Sequence, residues 1–132
     1  MLLPLSPFKA VFFDVGGTLI RVYPSVGDVY ARHARPFGYS GSVEVLNKGF
    51  VAQWKKMGGI ESLRDQSGAE AERKFWSELV YEVFKPLGGL NRFEEYFDLI
   101  FEEFRDKSNW RVYEDVIESE ILEKLKKRGV VL

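Results

Sequence analysis

A single aspartate, Asp14, stands where an apolar segment gives way to a glycine-rich loop. It follows the β-forming residues 9–13 and precedes Gly16, Gly17 and Thr18. In open α/β sheets, ligands bind beyond the carboxyl ends of the strands. Backbone N–H groups of a glycine turn can hold an anion, and an aspartate carboxylate can attack phosphorus or carbon to form a covalent intermediate. The residues therefore indicate nucleophilic catalysis at Asp14, with a turn-capping role for its side chain as the alternative.

The position of this loop depends on a strand before it and on helices after it. Residues 9–13 form an apolar run typical of a buried strand in a parallel sheet, and residues 19–23 predict a short extended or hairpin segment. Helical periodicity then covers residues 25–107 and predicts four amphipathic helices in an antiparallel bundle. The expected N-terminal caps of these helices are Ser25, Ser42, Ser67 and Asn91.

The pattern changes after the predicted bundle. Residues 115–128 predict one final helix, which Gly129 ends. Its inward-facing residues are expected to be Ile117, Ile121, Leu122 and Leu125. Residues 130–132 then predict the start of a second buried strand.

The composition limits the classes of protein to which this chain can belong. Its 132 residues suit one domain, or one small domain with an insertion. A net charge of −1, from 19 basic and 20 acidic residues, argues against a nucleic-acid partner. The absence of cysteine excludes disulfides, thiolate metal sites and a cysteine nucleophile. No apolar stretch approaches the about 20 residues of a membrane-spanning helix, so we expect a cytoplasmic protein with no membrane partner.

The glycine-rich loop resembles the first motif of the haloacid dehalogenase-like (HAD) hydrolases, in which Asp-x-Asp-Gly-Thr-Leu follows an apolar strand. The order of a strand-end aspartate, a long helical insertion, a return helix and a strand is also similar to that family. The resemblance implies an α/β fold with a partial Rossmann-like core, formed by residues 1–20 and 108–132. Residues 21–107 would form an inserted helical cap resembling a four-helix bundle, so the chain as a whole would be mostly helical.

The resemblance also implies roles for residues in and after the loop. Asp14 matches the catalytic nucleophile, which in this family also ligates magnesium. Gly16 can offer its backbone carbonyl to the same metal. The expected substrate-binding residues are Gly17, Thr18, Arg21 and Tyr23, the last two of which lie where the family has a flap over the site.

Gly16 is also the main departure from the family motif. Phosphatases of the family carry a second aspartate there, which protonates the leaving group and activates water. The favoured activity is magnesium-dependent hydrolysis of a small phosphate ester through an aspartyl-phosphate on Asp14. Because a halide leaves without a proton, a dehalogenase- or phosphonatase-like activity is an alternative. A non-catalytic binding or assembly module derived from a HAD protein is a further one.

The later motifs of the family would follow the strand that begins at Val130, whereas the sequence ends at Leu132. These motifs are a serine or threonine, a lysine and an acidic pair, and phosphoryl transfer depends on such positioning and charge stabilisation. We therefore expect a truncated chain that is inactive alone. An incomplete parallel sheet exposes its edges and apolar faces, which predicts self-association or binding of a complementing C-terminal fragment.

Overall fold

The computed structural model describes residues 8–64, 66 and 68–132, and the chain divides into two compact units. The first unit contains the described residues up to Val22 together with Trp110–Leu132, and the second unit is Tyr23–Asn109. The second unit is therefore one continuous insertion between two segments of the first. The predicted core segment also includes residues 1–7, which lie outside the described residues.

The second unit is built from helices α1 to α4. Their bounds are Val26–Ala34, Val43–Met57, Ala69–Phe84 and Phe93–Glu103. Helix α1 packs against α2 and α4, and α3 also packs against α2 and α4. Short 3₁₀ turns follow α1, α2 and α3, and another precedes the return to the first unit. The helical character predicted for residues 25–107 is confirmed.

The first two helices begin at their predicted caps. Ser25 Oγ accepts a hydrogen bond from the Asp28 N–H at 3.1 Å, and Ser42 Oγ accepts one from the Val45 N–H at 3.2 Å. Each hydroxyl satisfies one of the backbone donors that a helix leaves unpaired in its first turn. The local sequence therefore decides where α1 and α2 begin.

Among the described residues, no side chain caps the N-terminus of α3 or of α4. Helix α3 follows Gly68, and its predicted cap, Ser67, lies outside the described residues. The prediction of Asn91 as the cap of α4 is wrong, because Arg92 precedes this helix in a left-handed conformation with φ 51°. The Asn91 N–H donates to the Phe37 carbonyl at 2.9 Å, and the Arg92 guanidinium lies 5.0 Å from the centre of the Phe37 ring. Contacts with a residue distant in sequence thus fix the start of α4.

Aromatic side chains form the core of the second unit. The buried Tyr30 ring of α1 lies 6.3, 6.1 and 5.7 Å from the rings of Phe50, Phe84 and Phe104. Tyr96 of α4 is also buried and donates its hydroxyl to the Tyr30 carbonyl at 2.9 Å. Burial raises the pKa of both tyrosines above the usual value, because the phenolate loses its solvation. The core therefore combines ring packing with a buried hydrogen bond between α1 and α4.

Helices α1 and α2 approach each other closely at Gly27. Gly27 is buried, and its N–H donates to Asn47 Oδ1 at 2.7 Å. A Cβ at this position would lie 2.5 Å from the Val43 carbonyl oxygen and 2.8 Å from the Asn47 side chain. The crossing therefore requires a residue without a side chain.

Asn109 connects the first and last residues of the second unit. Its side chain is buried, its Oδ1 accepts a hydrogen bond from Arg32 at 2.9 Å, and its Nδ2 donates to the Glu103 carbonyl at 2.7 Å. Its own carbonyl accepts the Tyr23 N–H at 2.8 Å. Because a buried amide is costly when unpaired, this residue holds the two ends of the insertion together.

The first unit contains a short antiparallel pair of strands. Strands β1, Ile20–Val22, and β2, Trp110–Val112, pair with Ile20 opposite Val112. The extended segment predicted at residues 19–23 is confirmed. Its partner strand was not predicted, because an antiparallel register between distant segments leaves no local signal.

The strands predicted at residues 9–13 and 130–132 are wrong in extent. They meet at one parallel bridge between Ala10 and Val131. The Val11 N–H donates to the Val131 carbonyl at 2.9 Å, and the Val131 N–H donates to the Lys9 carbonyl at 3.0 Å. A two-stranded parallel pair with an uncovered face gains little from being extended, and the pairing stops after this bridge.

The single helix predicted at residues 115–128 is also wrong, because Glu120 interrupts it with φ 52°. The segment forms α5, Glu114–Ser119, and α6, Ile121–Lys127. Leu125 is buried as predicted, but Ile117 is 60% exposed. An apolar stripe favours a continuous helix only where a packing surface covers its whole length, and nothing in the described part of the chain covers α5 at Ile117.

Candidate active site

Asp14 lies in an exposed loop of the first unit, between the Ala10–Val131 bridge and β1. The Thr18 hydroxyl donates a hydrogen bond to Asp14 Oδ2 at 3.1 Å. The structure thus brings together the predicted nucleophile and one predicted substrate-binding residue. This contact restricts the orientation of a carboxylate that water can otherwise reach.

A tight turn of residues 15–20 produces this contact. The Val15 carbonyl accepts the N–H groups of Thr18, Leu19 and Ile20 at 3.2, 2.9 and 3.1 Å. The Gly17 N–H donates to the Ile20 carbonyl at 2.8 Å, and Gly17 has φ 84°, which favours glycine. The turn folds Thr18 back towards Asp14. Gly17, which was predicted to bind substrate, shapes the turn, and its N–H is donated within the loop.

Gly16 differs from its neighbour in this respect. Its φ is not in the left-handed range, and a Cβ placed on it would have no atom within 4 Å apart from those of Gly16 and its two chain neighbours. The backbone would therefore accept a side chain at this position. The conformation of the turn therefore does not require glycine at position 16.

Arg21 lies at the centre of β1, directly opposite Arg111 of β2, and both are exposed. Residues directly opposite in an antiparallel pair lie on the same face, where like charges repel. Two guanidinium groups on one face can receive an anion such as a phosphate or carboxylate. Sequence reasoning missed Arg111, because only the strand register places it beside Arg21.

Tyr23 belongs to the second unit, whereas the loop and Arg21 belong to the first. Its backbone N–H is bonded to Asn109, as described above. Within the first unit, the predicted site residues are therefore Asp14, Gly16, Gly17, Thr18 and Arg21, and Tyr23 is not one of them.

The loop offers few ligands for a metal ion. Across residues 8–64, 66 and 68–132, no three or more His, Asp or Glu side chains come together in a way that could hold a metal. The hard oxygen donors of the loop are the Asp14 carboxylate, the Thr18 hydroxyl and the backbone carbonyls. Such donors fit magnesium in kind, since this ion takes one or two carboxylates and keeps several waters, but they fall short of its six ligands in number.

Comparison with known proteins identifies the family of this chain. A model of the haloacid dehalogenase-like hydrolase family matches residues 8–132. The chain belongs to the haloacid dehalogenase-like hydrolases. A comparison with curated proteins gave no match.

Membership of the HAD family agrees with the glycine-rich loop and with the mostly helical chain carrying a small sheet. The match covers both segments of the first unit and the whole of the second. Among the described residues, no helix combines the length and the apolar character needed to cross a membrane. The family thus supports a hydrolase.

Proposed function

We propose that Asp14 is the nucleophile of a HAD-type phosphate hydrolysis and takes a phosphoryl group onto its carboxylate. The observation that carries this proposal is the contact between Thr18 and Asp14 Oδ2 in an exposed glycine turn. A positioned and accessible carboxylate suits nucleophilic attack. The paired Arg21 and Arg111 add positive charge to the same unit and favour an anionic substrate.

Magnesium is part of this proposal as a bound cofactor. The Asp14 carboxylate and the Gly16 carbonyl would supply two of its oxygen ligands, with water and substrate oxygens among the others. Magnesium would neutralise charge on the phosphate oxygens. The second unit, Tyr23–Asn109, would act as the helical cap of the family, and the first unit would contribute to its core.

Repeated turnover needs more than one carboxylate. Phosphoryl transfer depends on charge stabilisation from several groups, and the described residues bring no cluster of acidic side chains to the loop. We therefore expect phosphoryl capture by Asp14 to exceed steady-state release of phosphate from this chain alone.

Intact-protein mass spectrometry tests the proposal. The chain is incubated with magnesium chloride and p-nitrophenyl phosphate, quenched in acid, and examined for a mass increase of one phosphoryl group. We expect this increase in the natural protein and in Asp115→Asn, which removes an exposed carboxylate of the same unit. Asp14→Asn should abolish it. Labelling that persists in Asp14→Asn, or that maps to another residue, would refute the assignment of the nucleophile.

A non-catalytic assembly module is the second candidate, and an exposed apolar face favours it. Ala10 pairs with Val131, and Phe8 and Phe12 lie two residues before and two residues after Ala10 in the chain. Phe12 is 93%, Val131 67% and Phe8 59% exposed. Such a face is typical of a surface that a partner covers, either a second copy or a complementing chain.

Sedimentation velocity distinguishes these possibilities. Self-association that Phe12→Ser weakens would support assembly through this face. A monodisperse monomer at all concentrations would argue against self-association. Phe12→Ser changes no residue of the Asp14 loop, so its phosphoryl capture should be unchanged if the face serves assembly alone.

A further inference from the structure

The loop that carries Asp14 contains no second acid or base. Between Asp14 and Leu19, the only other polar side chain is that of Thr18. Its hydroxyl hydrogen is already donated to Asp14 Oδ2. The remaining loop positions are valine, glycine, glycine and leucine, which can neither release nor take up a proton through their side chains.

Position 16 is a place in the loop that has room for such a group. The backbone there would accept a Cβ, and apart from Gly16 and its two chain neighbours no described residue has an atom within 4 Å of a Cβ built on it. No neighbouring side chain therefore fills this space in place of the missing one. The loop therefore places the proposed nucleophile near Gly16, a position that has no side chain to donate or accept a proton.

This arrangement limits which phosphorus–oxygen bonds can be broken. When a carboxylate oxygen of Asp14 bonds to phosphorus, the bond to the leaving oxygen breaks and that oxygen keeps the electron pair. An alkoxide needs a proton at this moment, and general acid catalysis of this kind contributes about 10²–10⁴ in rate. A carboxylate or an acidic phenolate is stable as an anion and leaves without a proton.

We propose, on the basis of the function proposed above, that Asp14 takes its phosphoryl group from acyl phosphates and from phosphate esters of acidic phenols, rather than from alkyl phosphates. The products of this step are the aspartyl-phosphate and the anionic leaving group, with no net proton transfer. The acidity of the leaving group thus defines the class of substrate.

The absence of an acid/base group in the loop also affects hydrolysis of the aspartyl-phosphate. Water attacks the phosphorus of the aspartyl-phosphate, and the Asp14 carboxylate leaves as the phosphorus–oxygen bond breaks. The water must lose a proton, and no side chain of the loop is free to accept it. The aspartyl-phosphate should therefore persist, so that the protein holds the phosphoryl group rather than releasing it quickly.

The experiment compares three donors with magnesium chloride present: acetyl phosphate, p-nitrophenyl phosphate and glycerol 3-phosphate. Intact mass and peptide mapping give the rate at which Asp14 is labelled and, after removal of the donor, the rate at which the label is lost. Gly16→Asp restores an acid/base group, and Gly16→Asn is the matched control of the same shape without it. The open position at Gly16 predicts that both variants fold, which circular dichroism verifies.

Acyl phosphates are intrinsically more reactive than alkyl phosphates, so the decisive quantity is the change in their rate ratio between variants. In Gly16→Asp, we expect labelling by glycerol 3-phosphate to rise about 10²-fold relative to acetyl phosphate, and the label to be lost about 10²-fold faster. Gly16→Asn is the reference for both changes, because any effect of a side chain on the Gly16 carbonyl is common to the two variants and only the acid/base group differs between them.

Other outcomes separate this inference from the function on which it rests. Comparable labelling of the natural protein by glycerol 3-phosphate and acetyl phosphate would overturn the substrate class while leaving Asp14 as the nucleophile. An unchanged ratio in Gly16→Asp would also overturn it. No labelling of the folded protein by any of the three donors would overturn the proposed function itself, and this inference with it.

Discussion

Replacing Gly27 by alanine tests the close approach of helices α1 and α2. The new methyl group would lie 2.5 Å from the Val43 carbonyl oxygen and 2.8 Å from Asn47 Cγ and Oδ1, below the 3.0 Å that real Cβ atoms observe. The first of these atoms belongs to the backbone of α2, so a side-chain rotation cannot relieve that contact. Helices α1 and α2 must therefore move apart.

The cost follows from two contributions. Overpacking a fitted contact costs about 1–3 kcal/mol. Displacing Asn47 also lengthens its bond to the Gly27 N–H, and an unpaired buried donor costs about 1–3 kcal/mol. Alanine recovers at most about 1 kcal/mol of helix propensity. We expect Gly27→Ala to lower the free energy of unfolding by roughly 2–4 kcal/mol and Tm by on the order of 10 °C.

Gly49 of α2 provides the matched control. A Cβ there would lie 3.3 Å from Val83 Cγ1, a methyl group at the end of a side chain, and 3.9 Å from the Val83 carbonyl oxygen. The Val83 methyl must shift by only a few tenths of an ångström, and alanine recovers up to about 1 kcal/mol of helix propensity, so Gly49→Ala should cost far less than Gly27→Ala. Urea and thermal unfolding followed by far-UV circular dichroism measure both variants. If Gly27→Ala is as stable as the natural protein, or is affected no more than Gly49→Ala, the proposed close crossing of α1 and α2 is refuted.

Three further predictions concern the buried tyrosines, Asn109 and the active-site loop. Burial keeps the pKa of Tyr30 and Tyr96 in the folded protein above the pKa of tyrosine in the unfolded chain. Above pH about 10, the unfolded chain therefore loses protons that the folded protein retains, and the free energy of unfolding should fall. A urea midpoint that stays constant across an alkaline series would contradict this. Asn109→Ala should cost roughly 2–4 kcal/mol by leaving Arg32 and Glu103 groups unpaired, and a urea midpoint equal to that of the natural protein would argue against this network. Thr18→Val should change stability by less than about 1 kcal/mol yet slow phosphoryl capture at Asp14, with Thr18→Ser retaining the natural rate in the mass assay; equal rates in all three would contradict a positioning role.

Much of the fold follows from local signals along the chain. Ser25 and Ser42 cap the helices that they were expected to begin, because a hydroxyl and the N–H three residues later are neighbours whatever the rest of the chain does. The predictions that were wrong depended on distant contacts. Asn91 does not cap α4, because the Arg92 segment is held against Phe37. Residues 115–128 do not form one helix, because periodicity does not show whether a surface covers each turn.

In the candidate site too, some features follow from the local sequence and others depend on the tertiary structure. The order of residues in the loop was enough to indicate Asp14 as a nucleophile, to mark Gly16 as the departure from the HAD motif, and to imply the family that the comparison then identified. The geometry added the hydrogen bond from Thr18 to Asp14 and the open space at Gly16. It also added Arg111 beside Arg21.

The sequence by itself determined the chemistry available to this protein, because the types of residue and their spacing along a short loop are local properties. It also determined the helical insertion, because periodicity acts within each helix and the serine caps of α1 and α2 act within their first turns. Only the tertiary structure decided that Gly27 must be glycine, that Asn109 joins the two ends of the second unit, and that Arg21 faces Arg111. Each of these depends on residues far apart in the chain meeting at distances of a few ångströms, which propensity and periodicity do not specify.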